Sequence, residues 1–148
     1  MNINLKPLYE FLKENELLSD TELDMIQYCL NDITETSPND KPGVFRKSEK
    51  IIQDSQNLSW CIYSLRLQYD HLNKAYRKIK DPEYTLLVRQ QRPSSEAINS
   101  ELRTKFEELY DLEEKLSTIN NIIEYLTHIQ TSMERYLYLL KDRLKHSD

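Results

Sequence analysis

The sequence predicts an all-α protein, and three observations carry that reading. One glycine and five prolines among 148 residues leave long stretches without a helix breaker. Apolar residues recur in steps of three and four over residues 48–80. They do so again over residues 95–146, without a single Pro or Gly from Ser94 onward. Such spacing keeps one helical face apolar and the rest polar. The architecture expected is an N-terminal helical hairpin followed by two long heptad-patterned helices. These fold back as an antiparallel hairpin and oligomerise through the C-terminal helix.

The first 36 residues read as a small acidic helical segment. Leu5, Leu8, Phe11 and Leu12 share a face, and Pro7 is tolerable in the opening turn, where its missing N–H costs nothing. Ser19 and Glu22 form a capping-box pattern that starts a second helix. Leu23, Ile26, Cys29, Leu30 and Ile33 supply its apolar stripe. Two prolines and the glycine cluster in Thr36–Gly43, so residues 37–47 are expected to be a linker.

From 48 to 80 the seam is Ile51, Ser55, Leu58, Ile62, Leu65, Tyr69, Leu72, Tyr76 and Ile79, apolar at every position but Ser55. Pro82 is expected to stop this helix, because proline disfavours helical geometry in the residue before it. Residues 83–92 are compatible with a strand, a helical turn or a crossover. Ser94 or Ser95 then caps a helix whose seam runs from Ile98 to Leu144, interrupted only by Lys105 and Gln130. Unbroken, it would be roughly 70 Å long at 1.5 Å per residue.

The later part of that seam broadens. Ile122, Ile129 and Tyr136 join Ile119, Ile123, Leu126, Gln130, Met133, Leu137, Leu140 and Leu144 to give a three-position face. A two-stranded seam needs only two positions, so this stripe asks for further neighbours, from its own chain or from copies of itself. The expectation is a homo-oligomer interface at these eleven residues. Gln130 would fix its register.

Charge is distributed unevenly. The chain is net −5, but residues 1–40 carry −7, residues 41–93 carry +6 and residues 94–148 carry −4. A pI near 5.3 argues against indiscriminate nucleic-acid binding, while a local basic patch can still hold phosphates. No apolar run reaches 18 residues and no secretory core follows Met1. The two unpatterned cysteines suit a reducing compartment. A soluble, cytoplasmic protein is expected, with no membrane partner.

Catalytic patterns are missing from the sequence. His71, His128 and His146 have no ligand at metal-binding spacing, and Cys61 has no basic neighbour to lower its pKa. The Glu107-Glu108 and Glu113-Glu114 pairs fall off the seam, on a solvated face. Neither an enzyme nor a cofactor is expected. The back of the 48–80 helix is more suggestive: Trp60, Tyr63 and Leu67 precede Lys74, Arg77 and Lys78, all pointing away from the seam. Aromatics followed by cations suit stacked bases and backbone phosphates. The alternative, favoured for the aromatics, is that residues 1–40 pack over them.

The order of these features resembles a known family. Lys74-Ala75-Tyr76-Arg77-Lys78 ends a basic helix, and a polar connection with Arg89 and Arg92 follows. Ser94-Ser95-Glu96-Ala97-Ile98 opens a long helix that closes in Leu139-Leu140-Lys141-Asp142-Arg143. Over about residues 66–144 this resembles the UvsY-type recombination mediators of T-even-like phages. The resemblance implies a helical protein that forms rings through its C-terminal helices and binds single-stranded DNA through a basic segment. It also implies partnership with a recombinase or a single-stranded-DNA-binding protein, in the cytoplasm of an infected host. By position, Lys74, Arg77 and Lys78 would contact DNA, with Arg89 and Arg92 as additions. Without the resemblance, a scaffold or adaptor is the competing reading, such as a virion component or an inhibitor of a host protein. The acidic residues Glu10, Glu14, Glu16, Asp20, Glu22 and Asp24 would then face a basic partner.

Overall fold

A computed structural model describes residues 6–35, 38–89 and 94–146, with the backbone alone at 103–105 and 146. It is all-helical: α1 (Lys6–Glu14), α2 (Asp20–Thr34), α3 (Lys41–Arg89), α4 (Ser95–Lys105) and α5 (Glu107–His146), with no strand among the described residues. None of these helices is long and apolar enough to cross a membrane. Contacts divide the chain into two compact units. One is Met1–Leu65 with Ile122–Asp148, and the other is Arg66–Asn121.

In the first unit, α1 buries Leu12 completely, while Leu5 lies outside the described residues. The turn after α1 is a Schellman closure. Leu17 N–H donates to Leu12 O at 3.0 Å and Glu16 N–H to Lys13 O at 3.1 Å, satisfying two carbonyls the helix end would otherwise orphan. That closure needs a left-handed residue, usually glycine, and here it is Glu16 at φ 52°. Glu16→Gly should therefore raise stability by about 0.5–1 kcal/mol, seen as a higher urea midpoint at unchanged slope.

The capping box of α2 is present as the sequence implies. Ser19 Oγ accepts from Glu22 N–H at 3.2 Å, and Glu22 Oε1 accepts from Ser19 N–H at 3.1 Å. Ile26, Cys29 and Leu30 are buried beneath α2.

α3 begins seven residues earlier than the seam suggests, so 41–47 are helix rather than linker. Asp40 Oδ2 caps it by accepting from Gly43 N–H at 3.0 Å, and Pro42 sits in the first turn, where no N–H is missed. A Cβ at Gly43 would lie 2.6 Å from Asp40 Oδ1 and 2.9 Å from Pro38 Cβ, so the cap relies on the glycine.

α3 also runs through Pro82 to Arg89, where a stop was expected. In the second unit Leu87 is buried with Ile98, Leu102 and Leu109, and Tyr76, Ile79, Tyr84 and Phe106 pack against them. Burial of Leu87 and Tyr84 offsets a proline penalty of about 3 kcal/mol.

Ser94 caps α4, its hydroxyl accepting from Ala97 N–H at 3.1 Å. The single helix expected over 95–146 is divided at Phe106, which adopts extended backbone. An unbroken helix would set Lys105 in the apolar seam. The break resets the register and brings Phe106 onto the Leu102–Leu109 cluster instead.

Candidate functional site

The cations singled out by the sequence lie on α3 within the second unit. Lys74, Arg77 and Lys78 are all exposed. Together with His71, Ala75, Asp81 and Pro82 they line an open depression of about 660 Å³. The ion pairs among the described residues, Lys47–Glu35 and Lys50–Asp32, leave these three cations unengaged. Lys80, on a different flank, is instead held over the rings of Tyr76 and Tyr84 at 5.3 and 5.8 Å. Arg89 is exposed in the last turn of α3, about 16 Å beyond Lys78 along the axis. It does not line the depression. Arg92 lies outside the described residues. Three exposed cations beside Ala75 and Pro82 can bind a run of phosphates without reading bases. Asp81 moderates the positive potential at one edge.

The aromatics stand differently from what the sequence favours. Trp60, Tyr63 and Leu67 are 59 %, 53 % and 51 % exposed, and in the first unit neither α1 nor α2 covers Trp60 or Tyr63. Instead α2 seats on the other flank of α3. Cys29 Sγ donates to Asp54 O at 3.3 Å, Cys61 Sγ to Glu22 O at 3.7 Å, and Lys50 Nζ pairs with Asp32 Oδ1 at 2.7 Å. Cys61 is fully buried, as a small apolar filler would be. Burial pushes both thiols up, Cys29 to about 12 and Cys61 to about 11, so neither is a ready nucleophile.

The eleven residues expected at an oligomer interface are largely interior to one chain. Ile119 is buried in the second unit. In the first, Ile122, Ile123, Leu126, Ile129, Met133 and Leu140 are buried, and Tyr136, Leu137 and Leu144 are half-buried. Gln130 donates to Ser55 O at 3.2 Å and to Ser59 Oγ, so its partner is α3. The broad stripe finds its extra neighbours at home. Burial, and after it the nearby Tyr125 of α5, push the Tyr9 hydroxyl of α1 up to about 12, so α1 and α5 are neighbours there. Most of the surplus apolar surface that argued for copies of the chain is thus covered.

One cluster escaped the sequence reading. Asp32 on α2 is 1 % exposed and Asp54 on α3 is 7 % exposed, and the two carboxyls face each other. No donor reaches Oδ2 of either, a deficit that one proton shared between them would fill. Burial, hydrogen bonding to Asp32 and the Asp32 charge push Asp54 up to about 7. Burial also acts to raise Asp32, but hydrogen bonds from Asp54 and Lys50 outweigh it and hold Asp32 below its ordinary value. The signal was local: both residues fall three after a core position, Cys29 and Ile51, close to the buried face of their helix. Among the described residues, no three His, Cys, Asp or Glu side chains gather to hold a metal.

Compared with protein-family models, with curated proteins and with solved structures, the chain matches none.

Proposed function

We propose that this protein is a non-catalytic helical binding protein that holds single-stranded DNA through Lys74, Arg77 and Lys78. Its role would be that of a recombination or replication accessory of the mediator type. The observation that carries this reading is the set of three exposed cations around one open depression, none with a carboxylate partner among the described residues. Displacing counterions from a strand favours such a cluster, even on an acidic protein, because the field acts over about a Debye length. A recombinase or a single-stranded-DNA-binding protein is the further partner that the family resemblance implies.

The test is a fluorescence-anisotropy titration of a labelled oligonucleotide over a range of salt. Each phosphate contact on a single strand contributes about 0.7 to the slope of log affinity against log salt. Changing all three cations to Ala should weaken binding and flatten that slope by up to about two. Sequence preference should hardly move.

An adaptor is the second reading, and the exposed acidic surface of Glu10, Glu14, Glu16, Asp20 and Asp24 favours it. It expects no binding to the oligonucleotide at low salt by wild type or variant. Glu22 is withdrawn from that surface by its capping bond to Ser19.

A further inference from the structure

Within the first unit, α3 carries a second apolar line on the side opposite its buried seam. Phe45, Ile52, Trp60 and Tyr63 are 55 %, 40 %, 59 % and 53 % exposed. At 100° per residue they fall within about 80° of one another, and they extend about 27 Å along the axis. Trp60 and Tyr63 already touch each other, their ring centroids 5.9 Å apart. Between them the line contains Glu49 as its one charged residue, together with the exposed amide of Gln56. Exposed aromatics with few charges among them are the composition of an interface core.

We propose that this face is where a second copy of the chain docks, antiparallel, about a two-fold axis at Gln56. The spacing suits that arrangement. A two-fold at Gln56 sets each Ile52 against the partner's Trp60, each Glu49 carboxylate against the hydroxyl of the partner's Tyr63, and the two Gln56 amides against each other. Ile52 and Trp60 thus meet apolar partners, and the one charge meets a donor. A two-fold at Glu49 brings two carboxylates together, as does any parallel in-register pairing. One at Trp60 leaves Ile52 against the partner's Gln68. Of these three, the first alone opposes apolar to apolar and the charge to a donor.

The area limits the strength. Phe, Tyr and Trp side chains bury roughly 150–250 Å² each, so the half-exposed rings and Ile52 offer on the order of 400 Å² per copy, about half of a standard interface. The dimer is therefore weak, with a dissociation constant on the order of tens of micromolar, and reversible on dilution. This assignment does not rest on DNA binding, whose candidate cations lie elsewhere on α3.

Sedimentation velocity from about 1 to 300 µM tests it. Wild type should shift from monomer to dimer across that range. Trp60→Glu should weaken the dimer at least tenfold while keeping its helix content and melting temperature, because Trp60 is exposed in the monomer. Gln56→Cys should form a reducible disulfide dimer under mild oxidation, while Glu134→Cys, exposed on α5, should not. The K74A/R77A/K78A variant should dimerise like wild type. A monomer at 300 µM overturns the proposal. So does a dimer that persists in Trp60→Glu, or a Gln56→Cys protein that stays uncrosslinked at dimer-forming concentrations.

Discussion

Between pH 5 and pH 8 the protein should lose stability, and Asp54→Asn should abolish most of that loss. In the folded chain Asp54 holds its proton up to about pH 7, whereas an unfolded aspartate releases it near 3.8. As pH rises through that interval the unfolded state gives up a proton that the folded state retains, so unfolding becomes easier. Asp32 acts in the opposite sense. Its folded value is depressed, so its contribution is present above the ordinary aspartate range and is lost as pH falls below it. The two together place maximal stability in mildly acidic solution, where the pair shares one proton and carries one charge opposite Lys50.

Asn at position 54 keeps an N–H donor for Asp32 and cannot ionise. The variant should match wild type at pH 5 and exceed it at pH 8 by on the order of 2–4 kcal/mol, a sizeable share of a typical folding free energy. In thermal melts followed by circular dichroism the gap should open to roughly 6–12 °C at pH 8. Melting temperatures of the two proteins that run parallel from pH 5 to pH 8 would show that no proton is shared.

The second large effect separates the two faces of α3 with neighbouring substitutions. Leu58 is fully buried and Trp60, two residues on, is 59 % exposed. Leu58→Ala should cost about 2–5 kcal/mol through lost burial and the cavity left behind. Trp60→Ala should stay within about 0.5 kcal/mol at low micromolar protein, although it deletes a larger side chain. Urea unfolding at fixed slope measures both. A substantial loss from Trp60→Ala would mean that something in the monomer covers the outer face.

What the sequence disclosed was local. The Ser19–Glu22 capping box, the Ser94 cap and the buried faces of α2 and α3 follow from contacts within three or four residues, which spacing reveals directly. The misplaced ends of α3 have a common cause. Pro42 and Pro82 carry a local helix penalty, but the Asp40 cap makes the first harmless and the burial of Leu87 outweighs the second. Phe106 breaks the C-terminal helix with no Pro or Gly to announce it, because the break is set by a core formed with residues of α3. Exposure of Lys74, Arg77 and Lys78 was legible from their positions off the seam. Which flank of α3 the N-terminal helices would choose was not, since the flanks that carry Trp60 and Cys61 both present apolar residues. The choice is fixed by tertiary partners such as Asp32 for Lys50 and Glu35 for Lys47.

The first unit is assembled from the two ends of the chain, with the whole of Arg66–Asn121 between its parts. On a ribosome this imposes an order. Those 56 intervening residues form a contiguous set whose core, Leu87 to Leu109, spans little sequence, so its contacts close cheaply and early. The N-terminal segment meanwhile emerges with Leu12, Ile26 and Leu58 lacking the α5 residues that complete their core. At about 5–20 residues per second it waits roughly 3–11 seconds before Ile122 is even synthesised. During that interval the nascent chain exposes the Ile26–Leu30 and Ile51–Leu65 faces to any chaperone or neighbouring nascent chain. Truncation at the 3′ end of the reading frame should therefore cost the first unit far more than its share of lost residues, while leaving the second able to close.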